Sequence, residues 1–143
     1  MSNNKLVLGT AQFDLDYGIN NPRGVIPKTE ALAILLSACE KGIDTIDTAE
    51  SYGLSEQIIG EFIRQYKKDL KFITKLSLSQ TNKTIAEHLN RSLDNLGVVS
   101  LEGYLLHNFE DYRKNPEIWG ELCILKKDGL TRKIGFSLVE FDL

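Results

Sequence analysis

Short apolar runs begin near residues 6, 43, 71, 101 and 132, about thirty residues apart, and an amphipathic stretch fills each gap. Gaps of that length are too long for hairpins. They fit repeated βα units, whose strands pair in parallel. The runs, residues 6–11, 43–48, 71–76, 101–107 and 133–138, read as continuously apolar, as strands covered on both faces should. Helices are expected in the gaps. Pro27-Lys28-Thr29 opens the first, with Ala31, Leu32, Ile34, Leu35, Leu36 and Ala38 on its apolar side and Gly42 as its stop. Ser55 is the expected N-cap of the second, which carries Ile58, Ile59, Phe62 and Ile63 and has Lys67-Lys68 at its C-terminal end. The third runs from about Asn82 to Leu96 with Ile85, Leu89, Leu93 and Leu96 as a stripe, closed by Gly97. Asn115-Pro116 supplies an N-cap and first-turn proline for the fourth, through Ile118, Leu122 and Leu125 to Gly129.

Two architectures share this pattern, a doubly wound open sheet and a (β/α)8 barrel. No GxGxxG follows the first strand and no GxxxxGK[ST] occurs, which removes support from the nucleotide-binding open sheets. The 143 residues suit one domain, 1–143, and a formal net charge of −3 with no Lys/Arg cluster argues against a nucleic-acid surface. No apolar run approaches a membrane span of about 18 residues, and the polar N-terminus lacks the apolar core of a secretory signal. Cys39 and Cys123 stand 84 positions apart, outside any CxxC or Cys/His grouping. They are expected to be reduced, packed thiols in a cytoplasmic protein, without a metal site.

Active sites of α/β proteins form where strands end at their C-terminal side, so polar residues breaking the apolar runs there carry the chemistry. Asp47, Lys75 and His107 end the second, third and fourth runs, and Tyr52 follows Asp47 by five residues. On neighbouring strands these side chains meet at one rim. An ammonium beside a phenol favours the phenolate and is expected to lower the Tyr52 pKa from about 10. The set suits a tyrosine that gives a proton to a carbonyl oxygen, with the histidine orienting that oxygen. His88, Glu50 and Asp111 are expected on solvated surfaces, Trp119 in the core, and Ser137 lacks the GxSxG setting of a nucleophile.

These residues resemble the aldo-keto reductase family. The matching segments are Leu8-Gly9-Thr10, the run Gly42-Ile43-Asp44-Thr45-Ile46-Asp47-Thr48-Ala49-Glu50-Ser51-Tyr52-Gly53, Ser55-Glu56 with Ile59-Gly60, Ile73-Thr74-Lys75, Leu89 to Leu96 with Gly97, Leu105-Leu106-His107 and Lys133-Ile134-Gly135-Phe136-Ser137. They fall in order along almost the whole chain. The resemblance implies a (β/α)8 TIM barrel, here its N-terminal part with five strands and four helices. It implies an oxidoreductase that reduces an aldehyde or ketone with NADP as cofactor, NAD being the alternative. The family's tetrad falls on Asp47, Tyr52, Lys75 and His107. Cofactor contacts fall on Gly9, Thr10, Asp47 and Ser137, and substrate contacts on Phe13 and Asn108. The segment Gln12-Phe13-x-Leu15-x-Tyr17-Gly18 is similar to reductases among sugar-modifying enzymes, so a sugar derivative is one candidate substrate.

Asp14 stands where the family usually has glycine, and Leu138 where an asparagine often follows the strand-five serine. The family needs eight βα units, and this chain carries five. A truncated half-barrel without activity, acting as an assembly partner, is therefore the competing reading. Open sheet edges on the first and fifth strands are expected to promote self-association.

Overall fold

The computed structural model describes residues 5–19, 21–78 and 83–138. Five strands, β1 (Leu8–Gly9), β2 (Thr45–Asp47), β3 (Lys71–Leu76), β4 (Leu101–Leu106) and β5 (Thr131–Phe136), form one sheet in the order β1-β2-β3-β4-β5. All four pairings are parallel. Helices α1 (Lys28–Glu40), α2 (Ser55–Tyr66), α3 (Ile85–Leu96), α4 (Phe109–Lys114) and α5 (Ile118–Lys127) lie between the strands, and a 3₁₀ turn (Ala11–Phe13) follows β1.

The two-residue period of β3 separates its jobs. Phe72, Thr74 and Leu76 are buried, and the Thr74 hydroxyl donates to Glu56 of α2 at 2.7 Å, so this face meets the helices. Lys75 belongs to the opposite face, where its ammonium reaches Asp47 of β2. On α3 the buried residues Ile85, His88, Leu89, Ser92, Leu93 and Leu96 follow the helical period. A capping box starts α3: Thr84 Oγ1 accepts from Glu87 N–H, and the Glu87 carboxylate accepts from Thr84 N–H. Gly97 ends it at φ +70°. Helices α2 and α3 pack so closely that a Cβ at Gly60 would lie 2.0 Å from the Asn95 carbonyl oxygen.

Several local expectations are corrected. There are five α-helices among the described residues rather than four, because the six-residue α4 buries none of its side chains and leaves no apolar stripe. Asn115 therefore ends α4, and α5 begins at Ile118. Ser55 is the first residue of α2 rather than its cap; its hydroxyl is drawn inward to Thr10 Oγ1, 2.9 Å away. The expected start of α3 at Asn82 lies outside the described residues, and the described helix begins at Ile85. β1 pairs over two residues only, and Leu6 and Val7 before it are exposed. Cys39 is half-buried, but Cys123 is exposed on the outer side of α5, beside rather than among its buried Ile118, Leu122 and Leu125. Trp119 packs as expected, stacked on Phe136 at 5.1 Å between ring centroids. No described helix is long and apolar enough to cross a membrane.

Candidate active site

Parallel register carries the strand-end residues to one rim. Asp47 closes β2 opposite Gly9 of β1 and Ile73 of β3. Lys75 lies on β3 opposite Leu105 of β4. His107 directly follows β4 and donates its backbone N–H to Leu76 of β3 at 2.8 Å. The Lys75 ammonium donates to Asp47 Oδ1 at 2.5 Å and to the Thr48 carbonyl at 2.8 Å. Its nitrogen lies 5.1 Å from the Tyr52 ring centroid. The Tyr52 and His107 rings meet edge-on at 5.7 Å, and His107 Nδ1 shares a 3.0 Å hydrogen bond with Ser51 Oγ. Asp47, Tyr52, Lys75 and His107 thus converge, although up to 60 residues separate them in the chain.

The electrostatics differ from the expectation in one respect. Tyr52 is held above the ordinary phenol range, first by its burial and then by the Asp47 carboxylate and Tyr17. Lys75 does not reverse this, because its charge is matched by Asp47 at contact distance. Burial, and then the Lys75 ammonium, push the His107 pKa down. The rim therefore presents a protonated phenol and a neutral imidazole at neutral pH.

Beside Tyr52 and Asp47 lies a cleft of about 350 Å³, also lined by residues 9–12 and Tyr17. Its size lies within the range of small-molecule sites. Gly9 leaves it open, since a Cβ there would meet nothing within 4 Å. Thr10 contributes its backbone, but its hydroxyl is turned into the protein, donating to the Asp47 carbonyl at 3.0 Å and accepting from Ser55. Ser137 lies beside His107 through its N–H to the Leu106 carbonyl, 2.8 Å. Phe13 is 4% exposed and belongs to the core and to a second hollow with Ile26 and Ile34, not to the cleft at Tyr52. Asn108 is exposed next to His107, and its side-chain oxygen caps α4 by accepting from Glu110 N–H at 2.9 Å. No metal-binding group of His, Cys, Asp and Glu occurs among the described residues.

Three residues near the rim were placed differently by the sequence. Asp14, which stands where the family usually has glycine, accepts from the Leu54 N–H at 2.7 Å, so its carboxylate holds the loop after Tyr52. Gly53, at φ +55°, fits against it; a Cβ there would come within 2.2 Å of Asp14 Oδ2. His88 and Glu50 are not solvated. His88 is buried and Glu50 half-buried, and they face each other, His88 Nδ1 lying 2.7 Å from Glu50 Oε2. The signal for His88 was its place on the stripe of Ile85, Leu89 and Ser92.

The family model that matches residues 5–143 is that of the Aldo/keto reductase family. An oxidoreductase of Schizosaccharomyces pombe is 31% identical over 127 residues, covering 80% of this chain and 41% of the relative. A solved structure from Pseudomonas aeruginosa, described as an aldo-keto reductase, superposes with a TM-score of 0.74 at 31% identity. It covers 92% of this chain and 54% of its own. An aldo/keto reductase of Klebsiella pneumoniae, solved with NADP and acetate, shares the fold at a TM-score of 0.71 and 23% identity, over 95% of this chain and 46% of that one. The chain spans about half the length of the relatives it matches.

Proposed function

The chain belongs to the aldo/keto reductase family, and on that premise we propose that it serves NADPH-dependent reduction of an aldehyde or ketone to an alcohol, with Tyr52 as proton donor. The observation that carries this reading is the convergence of Tyr52, His107 and the Lys75–Asp47 pair beside the cleft. The residues fit a nicotinamide: the cleft is open at Gly9, and Asp47 is 30% exposed along its wall. When bound, the nicotinamide supplies the hydride that reduces the carbonyl carbon. Tyr52 Oη gives its proton to the carbonyl oxygen as that oxygen gains negative charge. The raised Tyr52 pKa keeps the proton in place until then, and the Lys75 ammonium steadies the phenolate that remains. Asp47 holds Lys75 toward the ring, and the neutral His107 offers a hydrogen bond to the same oxygen. Gly9, the Thr10 backbone, Asp47 and Ser137 are the residues assigned to the cofactor. Asn108 is assigned to the substrate. Phe13 is assigned there only through its backbone, its ring being buried. A sugar derivative is one candidate among the aldehydes and ketones this site would take. Two unbridged cysteines suit a reducing, cytoplasmic setting.

A second reading, an inactive half-barrel that assembles with another chain, is supported by the five-stranded sheet, in which β1 and β5 each have one neighbour. Fluorescence titration of the 143-residue chain with NADPH, followed by an assay against a panel of aldehydes, ketones and sugars, separates the two. Saturable binding with turnover supports the reductase. Absence of binding at millimolar NADPH supports the assembly partner.

A further inference from the structure

Glu50 lies two residues before Tyr52, and its side chain is only 12% exposed. Both its oxygens are within 2.8 Å of His88 Nδ1 on α3. A carboxylate only accepts, so Nδ1 carries the hydrogen. Arg91, one turn further along α3, approaches Glu50 Oε1 at 3.7 Å. His88 itself is 4% exposed, and among the described residues its buried Nε2 finds no hydrogen-bond partner, nor do Ser92 Oγ on the same helix and Tyr104 Oη on β4.

An unpaired buried nitrogen is unfavourable. An apolar side chain at position 88 would continue the stripe of Ile85 and Leu89 without one. Core packing therefore does not account for an imidazole here, whereas its bond to Glu50 does. The other bonds of this segment explain why that matters. Glu50 N–H donates to the Lys75 carbonyl at 3.2 Å, Ser51 Oγ bonds His107 Nδ1, and Leu54 N–H donates to Asp14. Ser51, Leu54 and Glu50 are thus tied to different parts of the fold, and the Glu50 side chain reaches α3.

We propose that Glu50 and His88 are positioning residues for Tyr52: their contact fixes the start of the loop, so that Ser51 holds His107 and Tyr52 lies against both His107 and Lys75. The role rests on the reading of Tyr52 as proton donor, but its test needs neither cofactor nor substrate.

Tyrosine labelled with ¹³C at Cζ reports the Tyr52 titration by NMR in the whole chain, with the signal assigned through Tyr52→Phe. ¹⁵N shifts of the His107 ring are read in the same samples. In His88→Leu the loop is released and Tyr52 gains water. Its titration midpoint then falls toward the free value of about 10, and the His107 ring signals move. His88→Asn, whose carboxamide N–H replaces Nδ1–H, restores both. A folded His88→Leu with Tyr52 and His107 unchanged overturns the proposal, and so does His88→Asn behaving like His88→Leu. Should His88→Leu fail to fold, Glu50→Ala, a change in the loop, is read in the same way: shifted Tyr52 and His107 signals support the proposal, and unchanged ones overturn it. The Tyr52 and His107 signals are read without turnover, so a failure of carbonyl reduction bears on the reductase reading alone and leaves the positioning role to be judged by these shifts.

Discussion

Lys75 and Asp47 meet at 2.5 Å across adjacent strands, but they are unequally shielded: the lysine side chain is 7% exposed and the aspartate 30%. The cost of breaking the pair therefore depends on which partner is left. Asp47→Asn leaves an ammonium buried, with the Thr48 carbonyl as its remaining strong acceptor. It is expected to cost roughly 3 kcal/mol, the lower end for a buried pair that loses one charge. Lys75→Met leaves a carboxylate that water can reach and should cost clearly less. Urea unfolding midpoints of the two variants check the order; equal losses would show that shielding does not govern the pair.

Replacing Tyr52 by phenylalanine removes the phenol oxygen and keeps the ring against His107. In an assembly competent for carbonyl reduction, kcat should fall by about 10²-fold or more, while NADPH affinity stays nearly constant. Stopped-flow turnover with a parallel binding titration measures both, and retention of most of the wild-type kcat would sink the role of Tyr52.

Gly60 and Gly120 both lie inside helices, yet alanine should act in opposite directions at the two. At Gly60 the new methyl meets a backbone carbonyl that cannot turn away, so α2 and α3 must separate at a cost of roughly 1–3 kcal/mol. At Gly120, on α5, the methyl meets nothing within 4 Å. Relief of glycine's backbone entropy there is expected to stabilise the chain by roughly 0.5–1 kcal/mol. Thermal melts of the two variants give the signs directly.

His107 makes stability depend on pH below neutrality. Its folded pKa is lowered from the ordinary value of about 6.5 that it takes in the unfolded chain. Between those values the unfolded chain binds the extra proton. The His107 contribution is thus absent above about 6.5, turns destabilising as pH falls through that value, and levels off below the folded pKa. Melting temperatures from pH 7.5 to 4.5 should show this slope in the wild type and less of it in His107→Gln.

Prepared alone, the 143-residue polypeptide is expected to associate. Among the described residues β1 and β5 each pair on one side only, and the exposed Leu6 and Val7 lead into β1. Light scattering across micromolar concentrations tests this, and a sharply melting monomer would refute it.

Features repeated in the chain, or placed at the ends of its apolar runs, could be read from sequence. Asp47, Lys75 and His107 interrupt those runs, and parallel register then brings them together. Pairings made by distant polar residues were hidden. Glu50 and His88 are 38 positions apart, and each by itself looks like an ordinary surface charge. Asp14 likewise gave no sign that it would bond Leu54, 40 positions on. The raised Tyr52 pKa escaped because the sequence does not show how far the phenol is buried, and burial is the first cause of the rise. Helix α4 left no apolar period to detect, since none of its side chains is buried.

The strand order β1-β2-β3-β4-β5 repeats the order of synthesis. Each strand from β2 onward, on leaving the ribosome, finds its partner already made. Asp47 can be seated when Lys75 arrives, and both are in place before His107 emerges. No later segment has to be inserted between them. Because N-terminal parts of a chain fold first during synthesis, the proton-handling residues can be assembled co-translationally, one strand at a time.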